Sequence, residues 1–181
     1  MGVSSEKMKS AKSICSDIKI AFAGVPFPSH GSLHAAMAKD DWVDDENTLR
    51  DITLRDDFNG EWWDVPRAHL HQCMMALSYL DAQGMAFYLP AYMSAILEEP
   101  EEFDRRGVKS SSWQVIHTML PNNEDRELEK YFLEQFSAFD GAMKRVCVEF
   151  LAYVATCSAY DEHARQIAKE ALAHEFWSIK S

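Results

Sequence analysis

Glycine is scarce, with seven in 181 residues. There is no G-x-x-x-x-G-K-[ST] loop and no G-x-G-x-x-G turn, so the common phosphate-cradling backbones are excluded. G-x-S-x-G is absent as well, and with it the strained elbow that exposes a hydrolase serine. Cysteine is limited to Cys15, Cys73, Cys147 and Cys157, none of them in a C-x-x-C pair, and their gaps fit no zinc framework. They read as reduced thiols acting as small hydrophobes. Apolar runs are short and interrupted, leaving no stretch of about 20 residues to cross a bilayer. Basic residues are also in deficit. Eighteen Lys and Arg stand against 29 Asp and Glu, a net charge of −11. No basic patch offsets a field that repels nucleic-acid phosphates and anionic lipid, so neither nucleic acid nor membrane is an expected partner. Met8 to Ser16 lacks the apolar core of a signal peptide, and Glu6 stands where myristoylation needs Ser or Thr. The expected setting is a reducing cytoplasm.

What is present is ordinary globular material: 47% hydrophobic and 26% charged. The length suits one domain. Residues 1–12 are polar and Lys-rich, a flexible lead-in, and 13–181 form the expected single domain. Ile14, Ile18, Ala21 and Phe22 recur at helical spacing, with Ser13 as cap and Gly24 as stop. Ser32 to Ala38 suits a short helical turn. Asp64 caps and Pro66 starts a helix with the stripe Leu70, Cys73, Met74, Leu77 and Leu80, ended by Gly84. Pro90 opens another to about Leu97, and 98–109 is a charged loop. Ser112 to Leu120 and Glu124 to Phe136 give two more helices, the second with Leu128, Phe132, Leu133 and Phe136 inward. Asp140 caps a strong helix to Thr156, and Asp161 opens the last, with Ala164, Ile167, Ala168 and Ala171 inward. The expected fold is mainly α, a compact multi-helix domain.

One segment stands apart. Between Asp40 and Asp64, ten carboxylates against two guanidinium groups leave a net charge of −8 in 25 residues. Trp42, Phe58, Trp62 and Trp63 sit among them, too aromatic for a disordered acidic run. The expectation is an irregular, ordered, acidic segment, with room for one short hairpin around Leu49 to Leu54.

Metal chemistry finds little support. On one helix His69 and Cys73 share a face while His71 points elsewhere, and two ligands fall short of the three or four zinc needs. The acids of 40–46 lack the spacing of a calcium loop. No metal or other cofactor is expected from these patterns, and no catalytic residue is assigned. The densest aromatic cluster, Phe87-Tyr88-Leu89-Pro90-Ala91-Tyr92, fits a helix start fixed by proline and rings.

The stretches Ile18 to Pro28, Trp63 to Pro66, Leu80 to Met93 and Phe139 to Val154 resemble a family of small bacterial proteins of unknown function. That family has a core F-Y-L-P-A-Y block, here Phe87 to Tyr92, and a late helix ending in F-L-x-Y, here Phe150 to Tyr153. The resemblance implies one compact domain and brings no catalytic residue with it.

Two functions follow as expectations. The first is a non-catalytic acidic binding protein of the immunity type, neutralising a basic toxin or enzyme partner. Asp44, Asp45, Glu46, Asp56 and Asp57 would steer the partner, with Trp42, Phe58 and Trp62 as anchors. The alternative is a small-molecule-binding or enzymatic helical domain whose pocket lies near Tyr88 and Tyr92, with His69 and His117.

Overall fold

Asp81 accepts a hydrogen bond from the Gly84 amide at 2.8 Å and so starts the helix on which the fold is built. This helix, α5 (Ala82–Glu98), buries thirteen of its 17 residues, which leaves it no solvent face and requires neighbours all round. The computed structural model describes residues 9–29, 31–104 and 111–178, and among them every regular element is helical. Around α5 stand α1 (Ala11–Ala21), α4 (Arg67–Gln72), α6 (Pro100–Asp104), α7 (Ser111–Thr118) and α8 (Arg126–Gln135). The helix α9 (Gly141–Thr156) packs on α1 and on α10 (Glu162–Ala173), and α10 also packs on α7. At one side α2 (Leu33–Asp40) pairs with α3 (Glu46–Asp56) and leans on the 3-10 turn Met74–Ser78.

Capping explains most boundaries. Ser10, Ser32, Asp45, Asp81, Asp125, Asp140 and Asp161 each accept a first-turn amide. The expected caps at Asp140 and Asp161 hold, but the first helix is capped by Ser10 rather than Ser13. The first helix therefore begins inside the expected 1–12 lead-in, and Lys9 binds both Asp17 at 2.9 Å and Glu149 at 2.7 Å. Residues 1–8 lie outside the described residues.

Four other expectations change. Gly84 does not end a helix and Pro90 does not begin one; both lie within α5. The stripe from Leu70 to Leu80 is buried as expected, but its backbone turns from α4 into the 3-10 turn at Cys73. Of the four apolar positions expected inward at α8, only Phe132 and Phe136 are buried, their rings stacked at 4.6 Å, while Leu128 and Leu133 are exposed. The expected loop at 98–109 contains α6, and residues 105–110 of it lie outside the described residues.

Backbone carbonyls freed at helix breaks find buried side-chain donors. Trp62 donates its indole N–H to the Phe22 carbonyl at 3.0 Å, and Trp177 donates to Met119 at 2.8 Å. Gln135 donates to Leu77 and Leu80 at 3.0 and 2.8 Å. Pro100 has no N–H to offer the Ile96 carbonyl, and the Tyr160 hydroxyl supplies it at 3.2 Å.

At Gly84 two backbones approach closely. A Cβ added to Gly84 would lie 2.3 Å from the Gly31 carbonyl oxygen and 2.9 Å from Leu80 Cδ2. Gly84→Ala is expected to destabilise the fold by about 2–3 kcal/mol despite better helix propensity, as overpacking against backbone does. Gly141→Ala, with open space at the first position of α9, is expected to stabilise it by about 0.5–1 kcal/mol. Urea unfolding of both variants reads the two signs.

Candidate functional site

The middle of the acidic segment is the helix α3, which corrects the expectation of a hairpin around Leu49 to Leu54; residues 41–45 and 57–61 on either side are irregular as expected. Asp45 accepts from the Thr48 amide at 2.7 Å and its hydroxyl at 2.6 Å, opening α3. Leu49 and Thr53, four apart, then face inward, and Thr53 meets Ser32 through their hydroxyls at 2.7 Å. The β-branched Thr48, Ile52 and Thr53 are overruled by a strong cap and one buried face. Asp44, Asp45 and Glu46 are exposed. Asp56 pairs with the neighbouring Arg55, which holds its carboxyl below the ordinary range.

The aromatics divide. Trp42 is 93% exposed and holds a left-handed backbone, φ 64°, just after α2. Trp62 is 1% exposed and belongs to the core, so its place as a surface anchor is withdrawn. Trp63 lies at the surface under the Lys19 ammonium, 4.4 Å from its ring centroid. Phe58 is half-buried against the core.

Asp57 is also misplaced by the surface expectation. Its side chain is 1% exposed and faces inward. Both carboxylate oxygens accept the His34 amide at 3.3 Å, and Oδ1 meets His34 Nδ1 at 2.9 Å. It thus caps the first turn of α2 from a neighbouring helix end. The His69 ring, on α4, stands edge-on to His34 with centroids 5.0 Å apart. One ligand atom from each of His34, Asp57 and His69 falls within 4.8 Å of the others. His69 Nδ1 is shielded from solvent with no hydrogen-bond partner, and so is the Tyr88 hydroxyl. Burial pushes Tyr88 well above the usual phenol range, and the Asp57 charge adds to the rise. Cys73 is pushed up to about 12 by burial and then by Asp57, so it is a thiol at neutral pH and no nucleophile.

The expected set of His69, Tyr88, Tyr92 and His117 does not line one pocket, although His69 and Tyr88 both lie near Asp57. Tyr92 is buried and donates to the Cys73 carbonyl at 2.8 Å. His117 is exposed on α7 with its ring edge against Trp113 at 6.2 Å. Nor do His69, His71 and Cys73 converge on one point: the His71 ring packs on Phe103 at 4.5 Å. What the sequence missed is His34. Nothing local marks it, since its partners lie 23 and 35 positions away, and only its place two residues after the Ser32 cap hints at an inward role. A separate open groove of about 680 Å³, lined by Glu124, Glu129, Glu170 and Glu175, takes none of these residues.

Residues 10–181 match the model of DUF6714, described as a family of unknown function. No curated protein and no solved structure matches the chain.

The two tyrosines should respond oppositely to loss of their hydroxyls. Tyr92→Phe removes one of the two hydrogen bonds that the Cys73 carbonyl accepts, the Ala76 amide at 3.0 Å being the other, and is expected to cost about 1 kcal/mol. Tyr88→Phe removes an unpartnered buried hydroxyl and is expected to leave stability unchanged or raise it by up to about 1 kcal/mol. Thermal and urea unfolding of the metal-free variants separate the two.

Proposed function

We propose that this chain, which belongs to the DUF6714 family, is a non-catalytic binding protein that docks a basic protein on the acidic surface formed by Trp42 and α3. The observation that carries the reading is Trp42 itself. Trp42 closes α2 in the left-handed position where glycine is usual, its amide donating to the Lys39 carbonyl and the Val43 amide to the Ala38 carbonyl, both at 3.0 Å; its side chain, 93% exposed, repays none of the cost of about 1–2 kcal/mol that a non-glycine residue bears there. Such strain at an exposed aromatic fits a pre-set anchor. Leu54, 70% exposed on α3, adds a second apolar contact. Asp40, Asp41, Asp44, Glu46 and Asp51 are exposed on the same stretch of chain, and their charge selects a positive partner and speeds its approach. The partner class that fits is a basic toxin or enzyme, which makes the protein an immunity-type neutraliser acting in the cytoplasm.

The test keeps Asp45, because it caps α3. A partner captured from the host is expected to be basic. Asp44→Asn, Glu46→Gln and Asp51→Asn together should slow its association about tenfold at low salt, with little change at high salt. Trp42→Gly should raise the melting temperature by relieving the backbone while speeding dissociation at least about tenfold. Unchanged rates in both variants, or a complex that leaves residues 40–56 as open to hydrogen exchange as in the free protein, would refute the reading.

A further inference from the structure

We infer that His34, Asp57 and His69 form a binding site for a divalent transition metal of the zinc class, bordered by the Tyr88 hydroxyl. Two imidazoles and one carboxylate are the donor set such ions take, as three protein ligands with a position left open. The three donors come from three elements, the first turn of α2, the end of α3 and α4, so their meeting is a product of the tertiary fold and not of one helix's spacing.

An independent observation points to a ligand there. Tyr88 is 1% exposed, and its hydroxyl makes no hydrogen bond of good geometry, the Leu33 amide beside it being poorly placed. His69 Nδ1 is likewise shielded and unpartnered. Buried polar atoms left unpaired are costly, and two beside one buried carboxylate mark a place for a species that accepts and donates. A metal takes a histidine nitrogen directly, and a water on its open position gives the Tyr88 hydroxyl a partner. The fit requires modest movement. Donors around zinc at about 2.0–2.2 Å lie about 3.3–3.5 Å apart, against a spread of up to 4.8 Å here. Rotation of the two half-buried imidazoles closes that gap, while Asp57 stays fixed by the α2 amide. The chain's net charge of −11 favours a cation over an anion.

The consequence is mechanical. Among the described residues α3 packs chiefly on α2, and an ion shared by His34, Asp57 and His69 pins that pair to α4. The site is independent of what docks on Trp42, so either proposal can fail alone.

The experiment uses the tag-free full chain, stripped with a chelator and titrated with Zn²⁺ and, separately, Co²⁺. One equivalent of Zn²⁺ should bind, and the melting temperature should rise by about 5–10 °C when free zinc is a hundredfold above Kd. Amides of α3 should exchange more slowly with zinc present. His69→Ala and His34→Ala should each abolish the rise, and Asp57→Asn, which keeps an oxygen for the His34 amide, should weaken binding at least about tenfold. Cys73→Ser should bind zinc as the parent does. The site is overturned if zinc gives no stoichiometric binding, or if the rise survives in both histidine variants. Should a variant melt low before zinc is added, the Co²⁺ absorption spectrum decides: a ligand-field band in the parent that is lost in Asp57→Asn supports the site, and an identical band in both overturns it.

Discussion

A helix without a solvent face has to be enclosed before it is stable, and α5 imposes that condition on the whole chain. Water cannot hydrate its backbone, so each interruption near it must be repaired from within. Pro90 removes the amide that the Ala86 carbonyl would accept from, and in an exposed helix this would cost about 3 kcal/mol. Here the rings of Phe87, Tyr88 and Tyr92 are all buried around the proline, and that burial outweighs the missing bond. At the helix end Tyr160 reaches across from beyond α9 to serve Ile96. Trp62, Gln135 and Trp177 perform the same office at other breaks. Large polar-tipped side chains therefore act here as couplings between segments far apart in sequence.

The α2–α3 pair is held differently. Polar bonds join its two helices to each other, Ser32 to Thr53 and His34 to Asp57, and it meets the rest through the Met74–Ser78 turn, the buried Leu33 and Ala36, and the His34–His69 ring contact. A polar hinge of that kind is more sensitive to solution conditions than an apolar seam. The acids on its outer side repel one another, and Trp42 adds backbone strain. Stability is thus concentrated on α5, α9 and α10, and the surface that carries most of the charge is the less firmly held part.

How much of this was visible in the sequence depended on whether local signals agreed. For α9 and α10, cap, stripe and terminator all point one way, and the elements follow. Around α5 they conflicted. Gly84 and Pro90 are breakers by propensity, but the glycine is there so that the Gly31 carbonyl can approach, and the proline is tolerated because the helix is enclosed. In α3 the density of carboxylates hid the Leu49–Thr53 spacing that defines its buried face. Composition marked the segment as unusual but could not sort its tryptophans, because Trp42 and Trp62 differ only in what the fold brings to them. The histidine corner was illegible for a related reason: His34, Asp57 and His69 carry no fixed spacing, and only the packing of α2, α3 and α4 assembles them.

The fork of Lys9 between Asp17 and Glu149 joins the start of the described chain to its penultimate long helix. Between the end of α1 and the start of α9 lie about 120 residues, which a ribosome adding about 5–20 residues per second takes roughly 6–24 s to make. During that interval Ile14 and Ile18 have at most α5 to cover them, since α9 does not yet exist. The nascent chain therefore leaves the exit tunnel with its first helix only partly sheltered, a natural landing place for a holding chaperone. Closure of the domain on this side waits until α9 has been made.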